Sequence, residues 1–424
     1  MHKLNYFSEV DFSKISGYTI FLDIDGTIVP DGETDISKES VQKIKLIAQN
    51  NHVYFCSNGS PELAKSFSLI IGCDYFECRK PITTPFKKVL NTAKFKDVLV
   101  VGDKYSTDGL LAKFLGARFL RVERLLNTKE SKFIKFTYLV DNIVYKIFPM
   151  IELIRPWQWP KNFLVFAPLF FALKAFDFQS LYNVFLAFLA FCFASSTCYV
   201  LNDLKDVEQD RLHLSKMNRP IAAGFIGKKT ALKISVLTFI ITAIFVYSVP
   251  SIFPIILLYF ILNLAYSFGL KHIAVVDIVI VSIFYILRVV TGGLAATVPI
   301  SPWIITCVFF GSLFVIVGKR KSEHVQEKRR IVLDQYSEKA LDLMLGISAS
   351  LAVVSYLMWS ITGHVHYLTY STVFVVFSLF RILNTIYTHP NKTESPELLV
   401  FKDISILTSF VMWLLYVFVI FYLI

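Results

Sequence analysis

The chain has 424 residues, of which 55% are hydrophobic and 18% are charged, and its formal net charge is +11. Soluble domains contain roughly 45–50% apolar and about 25% charged residues, so this composition excludes a wholly soluble or disordered protein. Most of the basic excess follows residue 128, where it favours the cytoplasmic loops and anion sites of a membrane protein over a nucleic-acid-binding surface. The six cysteines include no CxxC pair, which indicates reduced thiols rather than disulfides or a zinc site.

Residues 1–128 alternate short β-rich apolar runs with polar helical stretches, which predicts an α/β domain with a parallel sheet. The predicted strands are 18–22, 52–56, 97–101 and 118–122, and the predicted helices are 37–50, 61–71, 84–94 and 107–115. No apolar signal segment precedes the first strand, so we expect this domain to stay in the cytoplasm.

Two carboxylates follow the first predicted strand. Asp23 and Asp25 in the sequence DIDGT lie at the carboxyl end of that strand, where open α/β sheets bind their ligands. One carboxylate can attack a phosphorus atom while the other protonates the leaving oxygen and then activates water. The pattern therefore predicts phosphoryl chemistry, although a turn after a strand can have the same composition.

Further polar residues follow the later strands. Ser57 and Asn58 come after the second strand, Lys80 precedes a proline, and Asp103 and Asp108 follow the strand VLVV. A hydroxyl and an ammonium group can hold phosphoryl oxygens, and late acidic residues can complete a Mg²⁺ site made of oxygen ligands.

The order of these motifs over about residues 18–122 resembles the haloacid dehalogenase superfamily of phosphatases, which implies a Rossmann-like fold and Mg²⁺ dependence. The resemblance implies that Asp23 is the nucleophile and Asp25 the acid/base, and that both lie at the metal together with Asp103. Asp108 would be a metal-site helper or a helix cap. The phosphate-binding residues would be Ser57, Asn58 and Lys80.

Members of this superfamily usually carry a cap domain after the first or second motif. The intervals between Thr27 and Ser57 and between Ser57 and Lys80 are too short to hold one. We therefore expect a capless, open site that admits the phosphate of a large substrate, such as a lipid head group at the bilayer.

Residues 129–154 form a connector in which Phe, Tyr, Ile and Val are interleaved with lysines. This pattern is typical of an amphipathic helix that lies in the membrane interface. A linker helix that packs on the α/β domain has the same composition, so both alternatives stay open from the sequence.

From residue 155 onward, apolar runs recur at lengths near the roughly 20 residues that cross a bilayer. Nine membrane spans are predicted: 162–176, 180–201, 229–249, 252–268, 273–292, 301–318, 340–362, 366–388 and 403–424. Lys and Arg are concentrated in the loops 202–228, 269–272, 319–339 and 389–402, so these loops should be cytoplasmic, like the α/β domain. We expect a multi-pass protein of the inner (cytoplasmic) membrane with Ile424 outside.

An acidic segment, NDLKDVEQD, closes the second predicted span. The spacing of Asp203, Asp206 and Asp210 predicts three carboxylates on one face of a helix, at its cytoplasmic end. Like charges at such distances repel one another unless a cation lies among them, and Mg²⁺ bridged to a diphosphate is the usual solution. The alternative is a solvated charged loop.

Basic residues near the ends of the spans are candidates for binding further anions, or they fix the topology and reach the lipid head groups. Arg288 lies inside an apolar run, where an arginine is costly and needs a partner, and Asp277 is expected to be its counter-charge or a further metal ligand. The complete set of basic candidates is Lys161, Lys216, Arg219, Lys271, Arg288, Lys319 and Arg320.

The acidic segment followed by NRP, within nine spans, resembles the UbiA superfamily of intramembrane prenyltransferases over about residues 152–424. RPWQWPKN, NRPIAAG, YSFGLKH and GSLF ahead of GKR are similar, within that superfamily, to the decaprenyl-phosphate phosphoribosyltransferases. This resemblance implies Mg²⁺-assisted transfer of 5-phosphoribose from phosphoribosyl diphosphate to a polyprenyl phosphate, and adds Asn162, Asn202 and Tyr266 to the substrate-binding residues. Many prenyltransferases have several aspartates in a second acidic motif, whereas this chain has Asp277 alone there.

The sequence thus predicts a bifunctional membrane enzyme: a phosphatase domain over 1–128, a connector over 129–154 and a UbiA-like all-α transferase domain over 155–424. We expect the transferase to make polyprenyl-phosphoryl-5-phosphoribose and the phosphatase to remove its 5-phosphate. Two alternatives stay open, an aromatic prenyltransferase of quinone or haem synthesis with an unrelated phosphatase, and a non-enzymatic lipid-binding scaffold. The sequence is compatible with a homo-oligomer and predicts no nucleic-acid partner.

Overall fold

The computed structural model describes residues 5–13, 15–59, 61–212, 216–325, 332–362, 366–389 and 403–423. Parts of the predicted cytoplasmic loops 202–228, 319–339 and 389–402, and Ile424, lie outside these ranges. Internal contacts divide the chain into two compact units. The first comprises Met1–Leu153 and Asp206–Lys228, and the second comprises Ile154–Lys205 and Lys229–Ile424.

The first unit contains a five-stranded parallel sheet, which confirms the prediction from the alternating apolar runs. Its strands lie in the order β3-β2-β1-β4-β5. The two-residue strand β3 is absent from the prediction because so short a segment has no alternation to detect. The strands are β1 (Tyr18–Leu22), β2 (His52–Phe55), β3 (Asp74–Tyr75), β4 (Asp97–Gly102) and β5 (Arg118–Arg121).

Helices cover both faces of this sheet, as parallel sheets require. Alternation along β1 sends Ile20 and Leu22 to a core on one face and Phe21 to a second core on the other face. The first core takes residues from α1 and α2, and the second takes residues from α3 and α4. The helices of this part are α1 (Lys38–Asn50), α2 (Pro61–Ile71), α3 (Thr84–Thr92), α4 (Leu110–Leu115) and the connector helix α5 (Lys132–Ile154).

The described residues include eight helices that are long and apolar enough to cross a membrane, so the chain is a multi-pass membrane protein. Each overlaps one of the predicted spans. The helices after α5 are α6 (Ala167–Phe171), α7 (Phe178–Lys205), α8 (Val207–Leu212), α9 (Lys228–Ser248), α10 (Phe253–Phe268), α11 (Val276–Ala296), α12 (Pro302–Val325), α13 (Glu338–Thr362), α14 (Thr372–Thr388) and α15 (Ile404–Tyr422).

The first predicted span, 162–176, is not a continuous α-helix. A 3₁₀-helix covers Pro156–Phe166 and is followed by the short helix α6. Proline lacks the N–H group that an α-helix needs, and this stretch contains Pro156, Pro160 and Pro168. The first of the nine predicted spans is therefore not among the eight long apolar helices of the described residues.

Candidate active sites

A buried cluster of charged residues lies at the carboxyl end of the sheet in the first unit. Asp23 directly follows β1, and Asp108 lies in the π-helical turn Tyr105–Gly109 that follows β4. The Nζ atom of Lys80 donates to Asp23 Oδ1 at 2.5 Å and to Asp108 Oδ1 at 2.6 Å. These three side chains are buried, so one ammonium group balances two carboxylates in a site shielded from water.

Two further predicted residues hold this site together. Ser57 Oγ donates to Asp25 Oδ2 at 2.5 Å, which ties together the second carboxylate of DIDGT and the segment after β2. Asn58 forms two hydrogen bonds with the backbone of Lys80, at 2.7 Å to its N–H and 2.9 Å to its carbonyl. In this structure Asn58 therefore positions the residue that carries the central ammonium group.

The same cluster can hold a divalent cation. One carboxylate oxygen from each of Asp23, Asp103 and Asp108 lies within 4.8 Å of the others. Asp103 Oδ1 is buried and has no hydrogen-bond partner among the described residues. Carboxylate oxygens are the ligands that Mg²⁺ prefers, so the donor set fits this ion. The group includes Asp108, expected only as a helper, and does not include Asp25, which was expected as a ligand.

The environment of the cluster disfavours negative charge when no cation is bound. Burial raises the pKa of Asp23 well above its usual value, and the charge of Asp108 adds to the effect. Burial and the charge of Asp108 also raise the pKa of Asp103 to about 7, against a lowering effect of the Tyr138 hydroxyl. Burial lowers the pKa of Lys80, but Asp108 and Asp23 outweigh it and leave this pKa well above its usual value.

The connector helix α5 contributes a residue that the sequence analysis missed. The hydroxyl of Tyr138 lies 2.5 Å from Asp103 Oδ2 and 2.8 Å from Asp31 Oδ2. No motif signalled this contact, because Tyr138 follows the last predicted strand by more than a dozen residues. Apolar side chains of the same helix, including Phe133, Phe136 and Ile143, are exposed. All but the last residue of this helix thus belongs to the first unit, and the helix also leaves apolar side chains exposed.

The acidic segment after the second predicted span is broken, contrary to expectation. Helix α7 ends at Lys205 and α8 begins at Val207, so Asp203, Asp206 and Asp210 do not share the face of one continuous helix. Asp203 is buried in the last turn of α7, where Nη2 of Arg155 donates to both of its oxygens. Asp206, half-buried, accepts a backbone hydrogen bond from Asp210.

Lys216 and Arg219, predicted to bind phosphate, lie beside a carboxylate of the acidic segment. Arg219 Nη1 donates to Asp210 Oδ2 at 2.8 Å, and Lys216 Nζ lies 3.9 Å from Asp210 Oδ1. Asp210 is buried, so these two cations stabilise its charge in the described state. Both basic residues after the acidic segment therefore lie beside one of its carboxylates, Asp210.

In the second unit, Asn202 accepts a short hydrogen bond from Ser267, and Lys205 donates to the Ser267 carbonyl at 2.6 Å. Tyr266, beside Ser267, has its ring edge-on to Phe284. Asn202 and Tyr266 are thus on neighbouring segments of α7 and α10. Lys271, in the turn Leu270–His272, and Lys319, on α12, are half-buried.

The expected pair of Arg288 with Asp277 does not form. Arg288 donates to Asn162 Oδ1 at 2.7 Å and to the Phe284 carbonyl at 2.5 Å. Asp277 instead accepts from Arg320 at 2.9 Å and from the Tyr336 hydroxyl at 2.6 Å. Both charges lie on α11 three turns apart, about 16 Å along the axis, which is too far for direct pairing. Each therefore recruits a partner from another segment.

An apolar cavity of about 830 Å³ lies within the second unit. Most of the residues that line it are aromatic, and several of them come from the stretch between Trp157 and Phe171. Lys161 is the one charged residue among the described residues that line it. An aromatic cavity with a single ammonium group suits a ligand with a long apolar part and an anionic head.

A polytopic helical domain with polar and ionic groups buried between its helices defines the second unit as an integral membrane protein domain. Residues 163–406 match the UbiA prenyltransferase family, and the chain belongs to that family. A UbiA homolog from Archaeoglobus fulgidus, solved bound to DMAPP and Mg²⁺, has a TM-score of 0.51 and 18% identity. That match covers 65% of this chain and 99% of the archaeal chain, and it supports the UbiA fold.

The chain is also similar to named bacterial proteins. Decaprenyl-phosphate phosphoribosyltransferase of Mycobacterium tuberculosis is 37% identical over 221 residues, which are 50% of this chain and 73% of that protein. The protein of the same name from Corynebacterium glutamicum is 37% identical over 220 residues, 50% of this chain and 66% of that protein. Nodulation protein NoeC of Azorhizobium caulinodans is 30% identical over 215 residues, 49% of this chain and 69% of that protein.

Proposed function

We propose that the UbiA-like domain transfers 5-phosphoribose from phosphoribosyl diphosphate to a polyprenyl phosphate and releases diphosphate. The observation that carries this proposal is the 37% identity to decaprenyl-phosphate phosphoribosyltransferases over 73% of one such enzyme. In the reaction a phosphate oxygen of the lipid forms a bond to the anomeric carbon of the sugar, and the bond from that carbon to the diphosphate breaks.

The acidic segment supports this chemistry through its donor atoms. Carboxylates of Asp203, Asp206 and Asp210 would hold Mg²⁺, which supplies charge neutralisation to the departing diphosphate when it is bound. Arg155 and Arg219, which here neutralise Asp203 and Asp210, would be available to the substrate phosphates. Guanidinium groups suit this task because their planar donors match phosphate oxygens.

The apolar cavity of the second unit supports a lipid acceptor. Its volume of about 830 Å³ and its aromatic lining provide an environment for isoprenoid units, and Lys161 offers a positive charge to the lipid phosphate. Asn162 lies on the same 3₁₀ segment as Lys161, and its hydrogen bond with the buried Arg288 fixes that segment against α11. We infer that this segment positions the acceptor.

We further propose that the first unit is a phosphatase that removes the 5-phosphate of the transferase product. An Asp23 oxygen would attack phosphorus, and the bond from phosphorus to the ribose oxygen would break while Asp25 donates a proton to that oxygen. Water would then attack the aspartyl phosphate after losing a proton to Asp25, which returns Asp23 and releases phosphate. Lys80 and Ser57 would bind the phosphoryl oxygens.

One product analysis tests both steps. The purified chain would be incubated with Mg²⁺, labelled phosphoribosyl diphosphate and decaprenyl phosphate. The labelled lipids would then be separated, and their masses would be determined by mass spectrometry. We expect polyprenyl-phosphoryl-ribose without its 5-phosphate. A parallel incubation with a prenyl diphosphate and an aromatic acceptor tests the alternative activity. Product only in that arm would overturn the phosphoribosyl proposal, and product in neither arm would favour a non-enzymatic scaffold.

A further inference from the structure

The candidate metal cluster of the first unit contacts a helix that lies outside the predicted phosphatase domain. Asp103 offers one carboxylate oxygen, Oδ1, that is buried and unbonded among the described residues. Its other oxygen, Oδ2, lies 2.5 Å from the hydroxyl of Tyr138 on α5. A carboxylate held by one oxygen in this way presents the other in a fixed direction, as is typical of metal ligands with an outer partner.

The surroundings of Tyr138 fix its hydroxyl toward Asp103. The second neighbouring carboxylate, Asp31, has another donor in Arg124 at 2.9 Å, so the single hydroxyl hydrogen can serve Asp103. The guanidinium of Arg124 lies 3.2 Å from the centre of the Tyr138 ring, and Lys104 Nζ lies 4.0 Å from it. These cation–π contacts hold the ring in place.

Gly26 provides the room for this contact. It adopts φ +77°, and a Cβ atom at this position would collide with both Asp103 Oδ2 and the Tyr138 hydroxyl. Two features therefore require glycine at this position of DIDGT. Its backbone is left-handed, and the Tyr138 hydroxyl occupies the space that a side chain would need. The DIDGT motif and α5 are therefore in close contact at Gly26.

A second residue of α5 holds the loop that carries the candidate ligands. Asp141, three residues after Tyr138 and on the same helix face, is fully buried. Its carboxylate accepts from the Ser106 N–H at 2.6 Å and from Arg121 at 3.1 Å. Ser106 lies between Asp103 and Asp108, so α5 is bound to the metal loop at two points.

We propose that Tyr138 is a positioning residue for the metal of the phosphatase, and that α5 is therefore part of that site. The inference rests on the proposed phosphatase function. Loss of the hydroxyl should weaken metal binding about 10-fold to 100-fold, the usual effect of removing the outer partner of a metal ligand. The same helix enters the second unit at Ile154, so the metal site is connected through one helix to the membrane-spanning part of the chain.

The test measures Mn²⁺ binding to the purified full chain by electron paramagnetic resonance, in an Asp206→Asn background that weakens the other proposed metal site. Asp103→Asn should abolish the remaining binding and thereby assign it. Tyr138→Phe should raise the Mn²⁺ dissociation constant about 10-fold to 100-fold. The matched control is Tyr145→Phe, on the same helix, whose ring packs on Tyr105 and Phe225. It should bind Mn²⁺ like the parent.

Hydrolysis of para-nitrophenyl phosphate, measured in parallel, separates positioning from general damage. Tyr138→Phe should need more Mg²⁺ for half-maximal hydrolysis but reach nearly the parent rate at saturation. Unchanged Mn²⁺ affinity in Tyr138→Phe, or an equal loss in Tyr145→Phe, would overturn the inference. If the parent binds Mn²⁺ but hydrolyses no phosphate ester, the phosphatase proposal fails, while the Mn²⁺ titration still decides the role of Tyr138.

Discussion

Nη2 of Arg155 lies 2.6 Å from both carboxylate oxygens of Asp203. The two side chains are 18% and 3% exposed, so the pair is largely withdrawn from water. Arg155 adopts a left-handed backbone with φ 58°, directly after α5 and before the 3₁₀-helix. A buried carboxylate needs a positive partner, and Arg155 fills this requirement for the first residue of the proposed Mg²⁺ site.

Arg155→Ala should destabilise the Mg²⁺-free protein by about 3 kcal/mol, because it removes the two hydrogen bonds and the positive charge that Arg155 supplies to the buried Asp203. Arg381→Ala provides the control. It removes a more exposed pair with Asp403 and should cost less than about 1 kcal/mol. Thermal unfolding in detergent measures both effects. Addition of Mg²⁺ and diphosphate should reduce the stability difference between Arg155→Ala and the parent. Equal losses of stability in Arg155→Ala and Arg381→Ala would contradict this account.

Asp203→Asn and Asp206→Asn should each abolish phosphoribosyl transfer. Each removes a charge from the segment that we propose holds Mg²⁺ against the diphosphate. Glu208→Gln is the matched control, because Glu208 belongs to the same segment but is exposed and pairs with Arg211. Transfer would be followed with labelled phosphoribosyl diphosphate. Near-normal Mg²⁺-dependent transfer in either aspartate variant would show that the acidic segment does not bind the metal.

Asp23→Asn should leave transfer intact and make the 5-phosphorylated lipid accumulate. An amide at this position cannot form the aspartyl phosphate on which the hydrolysis depends. Because both proposed activities share one chain, the product would stay at a high effective concentration near the proposed phosphatase site. Chromatography of the labelled lipids gives the ratio of the two products. An unchanged ratio, with transfer still running, would mean that the phosphatase acts on another substrate.

Metal binding at the proposed phosphatase site should weaken as the pH falls below neutrality. The raised pKa of Asp103, about 7, means that this carboxyl carries a proton below that pH in the metal-free protein. A metal must displace this proton, so the Mn²⁺ affinity should fall up to about tenfold from one pH unit above this pKa to one unit below it. Titrations one unit either side of the pKa measure this. The same affinity at both would contradict the prediction.

The broken segment before α7 should still cross the membrane. Eleven residues of 3₁₀-helix and five of α-helix would rise about 30 Å, which matches a hydrocarbon core of about 30 Å. With eight long helices this gives nine crossings. A reporter fused after Ile424 should therefore be external, and one inserted at Lys271 should be cytoplasmic. An internal carboxyl terminus would show that Pro156–Phe171 does not cross.

The sequence predicted the features that depend on local pattern. Strands β1, β2, β4 and β5 were found within one residue at each end, because each is a short apolar run between polar helices. The eight long apolar helices were predicted because a membrane span is recognised by high hydropathy over about 20 consecutive residues. Asp23, Asp103 and Asp108, which follow different strands, lie close together because parallel strands end at the same edge of the sheet.

The features that the sequence analysis missed depend on distant partners. Arg288 bonds Asn162, which is 126 positions away, rather than the acidic residue on its own helix. Tyr138 reaches Asp103 from the connector helix, for which composition left an interfacial helix and a linker helix open. The interruption at Asp206 was missed because the spacing of acidic residues indicates a helical period without showing where the helix stops.

The path of the chain limits how the protein can be divided. The chain leaves the first unit after Leu153, returns to it at Asp206 and leaves again after Lys228. Within that unit the ring of Phe225 packs 5.4 Å from Tyr105 and 6.1 Å from Tyr145. A stop codon after Leu153 would remove Phe225 and leave the rings of Tyr105 and Tyr145 without this contact. An exchange of residues 1–153 as one cassette must therefore also preserve the contact of Tyr105 and Tyr145 with Phe225. Phe225 is encoded some 200 base pairs downstream of Leu153.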